Sequence, residues 1–109
     1  MEVKKFADGS SLTVHIIGRL DAVSALELDK DLAATLNGVT DLTVDLADLE
    51  YISSAGLRTL LKTQKRMDKQ GAMRIKNIRE NVREVLDMSG FTSFLTIAED
   101  KKPKFSVSF

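Results

Sequence analysis

The chain has 109 residues, 43% of them hydrophobic and 29% charged, with one proline and no cysteine, the composition of one domain around a single core. Sixteen basic residues cancel sixteen acidic ones, so no net field draws the chain to nucleic acid or to an anionic membrane. With no cysteine and one histidine, His15, disulfide frameworks, thiol catalysis and multi-histidine zinc sites are excluded.

The uncharged runs fall well short of the ~18 apolar residues of a membrane helix, and the opening Met-Glu-Val-Lys-Lys-Phe lacks an apolar signal core. A cytoplasmic protein without membrane insertion is expected.

Residues 11 to 17, Ser-Leu-Thr-Val-His-Ile-Ile, alternate with a period of two and predict a strand. Asp8-Gly9 stands before it, with Val3 to Ala7 upstream, which predicts an opening antiparallel hairpin. Gly18 is expected to end the strand. Ser24-Ala-Leu-Glu27 reads as a capping box, and Ala25, Leu28, Leu32 and Leu36 follow at helical spacing, so a helix is expected from about Ala25 to Asn37-Gly38.

Leu42, Val44 and Leu46 alternate with Thr43 and Asp45 as a third strand. Ser53 and Ser54 can cap a second helix with the stripe Leu57, Leu60, Leu61 and Met67, ending at Gln70-Gly71. Ala72 to Lys76 is strand-like. Val82, Val85, Leu86 and Ser89 carry a third helical stripe closed by Gly90, and Leu95 to Ala98 suits a short last strand. The order ββαβαβαβ belongs to the α/β class, with helical crossovers joining parallel strands behind the antiparallel hairpin.

Much familiar chemistry is missing. The glycines at 9, 18, 38, 56, 71 and 90 never cluster, so no phosphate-binding or dinucleotide loop can be drawn. No Gly-x-Ser-x-Gly elbow occurs, and His15 reads as a half-exposed strand residue rather than a catalytic base. Asp21, Asp45, Asp48 and Glu50 follow or end predicted strands and could converge as a Mg²⁺ or phosphoacceptor cluster, although solvated turns suit most of them as well.

Charge is uneven along the chain. Residues 20 to 50 hold eight acids and one base, whereas 58 to 83 hold nine bases and two acids. Arg58, Lys62, Lys65 and Lys69 share one side of the second helix. This side is either an ordinary solvated face or a docking surface for an acidic protein. Without interleaved aromatics it does not suit nucleic acid.

Ser53 and Ser54, between a strand loop and free helix N–H groups, are the most informative spot, because a phosphate there would be hydrogen-bonded and favoured by the helix dipole. Spacing alone favours a plain helix cap.

Tyr-Ile-Ser-Ser-Ala-Gly-Leu-Arg-Thr-Leu-Leu, residues 51 to 61, resembles the signature of STAS domains, the sulfate-transporter and anti-sigma-factor-antagonist family. The likeness extends to Gly18-Arg-Leu-Asp21, to Val44-Asp-Leu46 and to the run from Val82 to Phe91. It implies a mixed sheet of four to five strands packed with about four helices. It also implies a non-enzymatic switch without cofactor or metal. Such a domain binds a serine-kinase anti-sigma factor until that kinase phosphorylates a serine, and a PP2C-type phosphatase reverses the reaction.

Aligned on Gly56, the family motif Asp-Ser-Ser-Gly puts Ser53 at the Asp, Ser54 at the modified Ser and Ala55 at the second Ser. Ser54 is thus the implied phosphoacceptor and Ser53 the second choice. Asp21, Ser53, Ala55, Gly56, Arg58, Lys62 and Lys65 are the implied partner contacts. The competing reading is a STAS accessory or scaffold subunit of a lipid transporter or sensory assembly, without partner switching.

One domain is expected over residues 1–100, followed by a tail, 101–109. Its Phe105, Val107 and Phe109 would share one face of a strand, and docking on a sheet edge with weak self-association is expected.

Overall fold

The computed structural model describes residues 1–98. A hairpin of β1 (Glu2–Asp8) and β2 (Ser11–Leu20) leads to α1 (Ala22–Thr35), then β3 (Asp41–Asp45), β4 (Leu49–Ile52), α2 (Ser54–Gln70), β5 (Ala72–Lys76) and α3 (Glu80–Ser89), with a 3₁₀ turn at Phe91–Phe94. None of the described helices is long and apolar enough to cross a membrane.

The hairpin forms as its sequence predicts. Asp8 pairs with Ser11, which leaves a two-residue loop whose first position, Gly9, has φ +62°, where a side chain would be strained. Sheet order is β1-β2-β3-β5, antiparallel in the hairpin and parallel elsewhere.

The central strand changes partner along its length. Ser11 to His15 pairs with β3, whereas Gly18 to Leu20 pairs with β4, and the register shifts between Gly18 and Arg19. Gly18 therefore does not end the strand. At φ +96° it forms the irregularity at which the strand is handed over, and its N–H donates to the Asp48 carbonyl at 2.9 Å.

Three other expectations need correction. The first helix starts at Ala22 rather than Ala25, because Asp21 and not Ser24 is its N-cap. Leu49–Ile52 is a strand where the sequence predicts a loop; four residues are too few to display alternation. The last strand shrinks to a bridge between Ile75 and Ile97. The order is therefore ββαββαβα, with three α-helices and one 3₁₀ turn among the described residues. The boundary at residue 100 and the tail 101–109 lie outside them.

Leu12, Val14 and Ile16 of β2 face the helices together with Leu42, Val44, Met73 and Ile75, and α1 and α2 cover them with Leu28, Leu32, Leu57, Leu60 and Met67. Each such side chain contributes about 1.5–3 kcal/mol on burial. The far ends of α1 and α2 are fastened by polar side chains. Gln70 Nε2 donates to the Leu36 and Val39 carbonyls at 2.8 and 2.6 Å, and Arg66 donates to the Ala33 carbonyl and Asn37 Oδ1 at 3.2 and 3.0 Å, satisfying carbonyls that the end of α1 leaves open.

Candidate functional site

Parallel pairing brings two helix starts together. Leu20 of β2 pairs with Ile52 of β4, and the next residues, Asp21 and Ser53, are the N-caps of α1 and α2. The Ser53 N–H donates to the Leu20 carbonyl at 2.9 Å, which binds the two starts directly.

Asp21 is committed to its helix. Its Oδ1 accepts from the Ser24 N–H at 2.9 Å, while Ser24 Oγ accepts from the Asp21 N–H at 2.8 Å, a reciprocal capping box. The Ser24 backbone N–H, and after it the Ser24 hydroxyl, hold the Asp21 carboxyl below the usual carboxylate range.

The two serines divide their roles. Ser53 Oγ accepts from the Gly56 N–H at 3.1 Å and caps α2. Ser54 is the first helical residue and is exposed, and its hydroxyl has no hydrogen-bond partner among the described residues. An exposed hydroxyl beside unsatisfied helix N–H groups is open to solvent, and the helix dipole favours negative charge there.

Ala55 is half-buried and Gly56 is buried. A Cβ on Gly56 would stand 2.8 Å from Leu20 Cγ and 2.9 Å from Ile52 Cγ1. Gly56 thus lets α2 sit close over the ends of β2 and β4.

A groove of roughly 320 Å³ opens between the two helix starts, lined by Ala22, Leu26, Asp29, Ala55, Arg58 and Lys62. Arg58 and Lys62 supply positive charge and Leu26, 63% exposed, supplies apolar surface. Lys62 Nζ lies 3.8 Å from Asp29 Oδ2, a loose pair. Lys65 is exposed on α2 outside the groove lining, as is Lys69.

Sequence reasoning missed two contributors. Exposed Val23 and Leu26 lie off the buried stripe of α1 at a spacing of three, a signal that the helical wheel carries. The Arg19 guanidinium lies 4.3 Å from the centre of the Tyr51 ring, and that contact depends on the pairing of β2 with β4, which local alternation does not signal.

The acids do not converge. Asp45 Oδ1 accepts from the Ala47 N–H and from Asn77 Nδ2 at 3.0 and 3.1 Å, and Asp48 Oδ2 lies 2.8 Å from His15 Nε2. Among the described residues no three His, Asp or Glu side chains gather in a group that could hold a metal ion. Asp21 caps α1, and Glu50 is exposed on β4. His15 is a strand residue with a 21% exposed side chain, as its alternation predicts.

The STAS domain family model matches residues 3–102. The chain belongs to the STAS domain family. It is 36% identical over 87 residues, 78% of this chain and 75% of the relative, to BtrV of Bordetella bronchiseptica, which is named as an anti-sigma factor antagonist. It is 29% identical over 90 residues, 82% of this chain and 83% of the relative, to the anti-sigma-B factor antagonist of Bacillus subtilis. Its fold matches that of the unphosphorylated anti-sigma factor antagonist SpoIIAA with a TM-score of 0.76, at 16% identity, over 91% of this chain and 90% of the other.

Proposed function

We propose that this STAS domain is an anti-sigma factor antagonist whose grip on its anti-sigma factor is switched by phosphorylation of Ser54. The reading rests chiefly on the division of roles at the start of α2: Ser53 is spent on capping, while the exposed Ser54 hydroxyl has no partner among the described residues. Two relatives that bear the antagonist name, with similarity over most of both chains, support it independently.

In this reading the domain supplies the hydroxyl and the docking surface, while the anti-sigma factor, a serine kinase, supplies ATP and catalysis. The groove between α1 and α2, with Arg58 and Lys62 on one wall and Leu26 on the other, receives the partner. A phosphoryl group at Ser54 adds roughly −1.5 to −2 charges beside that groove and opposes docking by repulsion and desolvation. A PP2C-type phosphatase restores the binding form.

The test is capture of partners from the source cell on the unmodified chain and on Ser54→Asp, with mass spectrometry of the peptide that spans Ser53 and Ser54. An anti-sigma kinase held by the unmodified chain and released by Ser54→Asp is expected. Equal retention by both removes the switch. Recovery of transporter subunits in place of a kinase favours the accessory-subunit reading.

A further inference from the structure

β1 closes one side of the sheet order, with no described strand beyond it. Hydrogen-bonded and unbonded pairs alternate along an antiparallel ladder, and the two-residue loop makes Asp8 and Ser11 the first bonded pair of this one. Glu2, Lys4, Phe6 and Asp8 therefore direct their backbone N–H and C=O groups to β2. Val3, Lys5 and Ala7 direct theirs outward, a row of open donors and acceptors.

The side chains of β1 sort by face. Val3, Lys5 and Ala7 are register partners of Ile16, Val14 and Leu12, so they lie on the face that α1 and α2 cover. Lys4, Phe6 and Asp8 lie on the other face, beside His15, Thr13 and Ser11. Phe6 is 60% exposed there. Lysine is a common guard of an open edge, but Lys5 is already engaged: its Nζ donates to Asp31 Oδ1 at 2.6 Å and to Thr35 Oγ1 at 3.3 Å. Lys4 and Asp8, on either side of Phe6, have no ion-pair partner among the described residues.

These charges select what fits the edge. A two-fold axis through the sheet pairs two copies of one edge antiparallel, and only outward residues can form the bonded pairs. Three registers then engage more than half of β1. Setting Lys5 against Lys5 also sets Glu2 against Asp8, and setting Val3 against Lys5 sets Lys4 against Lys4; like charges directly opposite destabilise a ladder. Setting Lys5 against Ala7 places Lys4 opposite Asp8 twice. The same register places Phe6 opposite its own copy in an unbonded pair, where side chains approach closest, and lays the small Ala7 beside the engaged stem of Lys5.

We propose that β1 pairs antiparallel with β1 of a second copy of this chain, with Phe6 at the two-fold axis, so that two sheets join into one. The register engages Lys4 to Asp8 of each strand, far fewer than the roughly 20–30 residues a side of a standard interface, so the dimer is weak and depends on concentration. It uses no residue of the groove at Ser54 and does not rest on the function proposed there.

The absence of cysteine makes any introduced thiol the only one in the chain. In this register the two copies of residue 6 stand ~4.5 Å apart at Cα, within disulfide range, whereas the two copies of residue 4, or of residue 8, are at least about 13 Å apart. Phe6→Cys in the full-length chain should therefore form a disulfide-linked dimer about tenfold faster than Lys4→Cys or Asp8→Cys under the same mild oxidant. Charge variants that keep the ring supply a second test. Lys4→Glu and Asp8→Lys should each weaken dimerisation about tenfold in sedimentation at low salt. Mixing the two should restore it, because each strand then supplies the charge that the other lacks, and Glu2→Lys in place of Asp8→Lys should not. The unmodified chain should itself gain mass with concentration, a result that needs no variant to fold. Equal oxidation rates at residues 4, 6 and 8, or no gain on mixing, overturns the proposal. So does slow amide exchange at Val3, Lys5 and Ala7 in a chain that stays monomeric at every concentration, which would assign the edge to another segment of the same molecule.

Discussion

The Arg19 guanidinium lies over the Tyr51 ring, 4.3 Å from its centre, and the two residues are register partners on β2 and β4. Each stands two residues before a helix cap, Asp21 and Ser53. The stack thus steadies the short β4 where α2 begins. An exposed cation over an aromatic face contributes about 0.5–1 kcal/mol. A double-mutant cycle in urea with Arg19→Ala and Tyr51→Leu should give a coupling in that range, and additive losses would show that the contact is energetically silent.

The two serines should separate in stability. Ser53→Ala removes the side chain that accepts from the Gly56 N–H and should cost about 1 kcal/mol by denaturant unfolding. Ser54→Ala, at an exposed position past the cap, should stay within about 0.5 kcal/mol and should incorporate no phosphate from the kinase. Phosphate uptake at an unchanged rate in Ser54→Ala would move the acceptor to Ser53.

Gly56→Ala sets helix propensity against packing. The change favours a helix by up to about 1 kcal/mol, yet the new methyl would stand 2.8 Å from Leu20 Cγ, an atom of a fully buried side chain near its backbone. Overpacking of this kind costs about 1–3 kcal/mol, so a net loss of melting temperature is expected. A gain would mean that α2 lifts from the sheet without penalty.

Reversing Lys62 and Lys65 to Glu should slow association with the anti-sigma factor and reduce its dependence on salt. Stability should change little. Lys62 is 75% exposed and only 3.8 Å from Asp29 at its nearest approach, and such pairs contribute about 0–1 kcal/mol. Unchanged association at low salt would return both lysines to ordinary solvated surface.

Asp21 should leave a mark on the acid limb of the stability profile. Its carboxyl in the folded chain sits below the ordinary carboxylate value, held first by the Ser24 N–H. The stabilisation is therefore complete above the unfolded-state pKa of ~3.9 and fades as pH falls through the lower folded value. Asp21→Asn, which still accepts a hydrogen bond but does not titrate, should flatten that part of the curve. Parallel acid limbs for the two chains would contradict the assignment.

Much of the fold was legible because its elements are long or end in residues with one evident purpose. The alternation of Leu12, Val14 and Ile16, the stripe of Leu57, Leu60 and Met67, and the left-handed Gly90 after α3 all read directly. What was illegible depends on long-range contacts. Gly18 signals a stop in isolation, and only pairing with Leu49 to Ile52 turns it into a handover. Asp21 and Ser24 both suit a cap, and their reciprocal bonds, rather than spacing, decide which of them starts the helix. At the site, the Ser-Ser pair was visible as a pair. The division between capping and exposure follows from a single hydrogen bond to the Gly56 N–H.

Gln70 and Arg66 bind the end of α2 to the end of α1, far from Ser54, and Gly71 leaves no space there: a Cβ would lie 2.0 Å from the Thr40 carbonyl oxygen. A helix anchored so firmly at its tail has little freedom to swing when its head acquires charge. On the phosphorylation proposed for Ser54, the modified and unmodified proteins should then share one backbone, differing in hydrogen exchange only around the first turn of α2, and a partner would sense electric potential rather than shape.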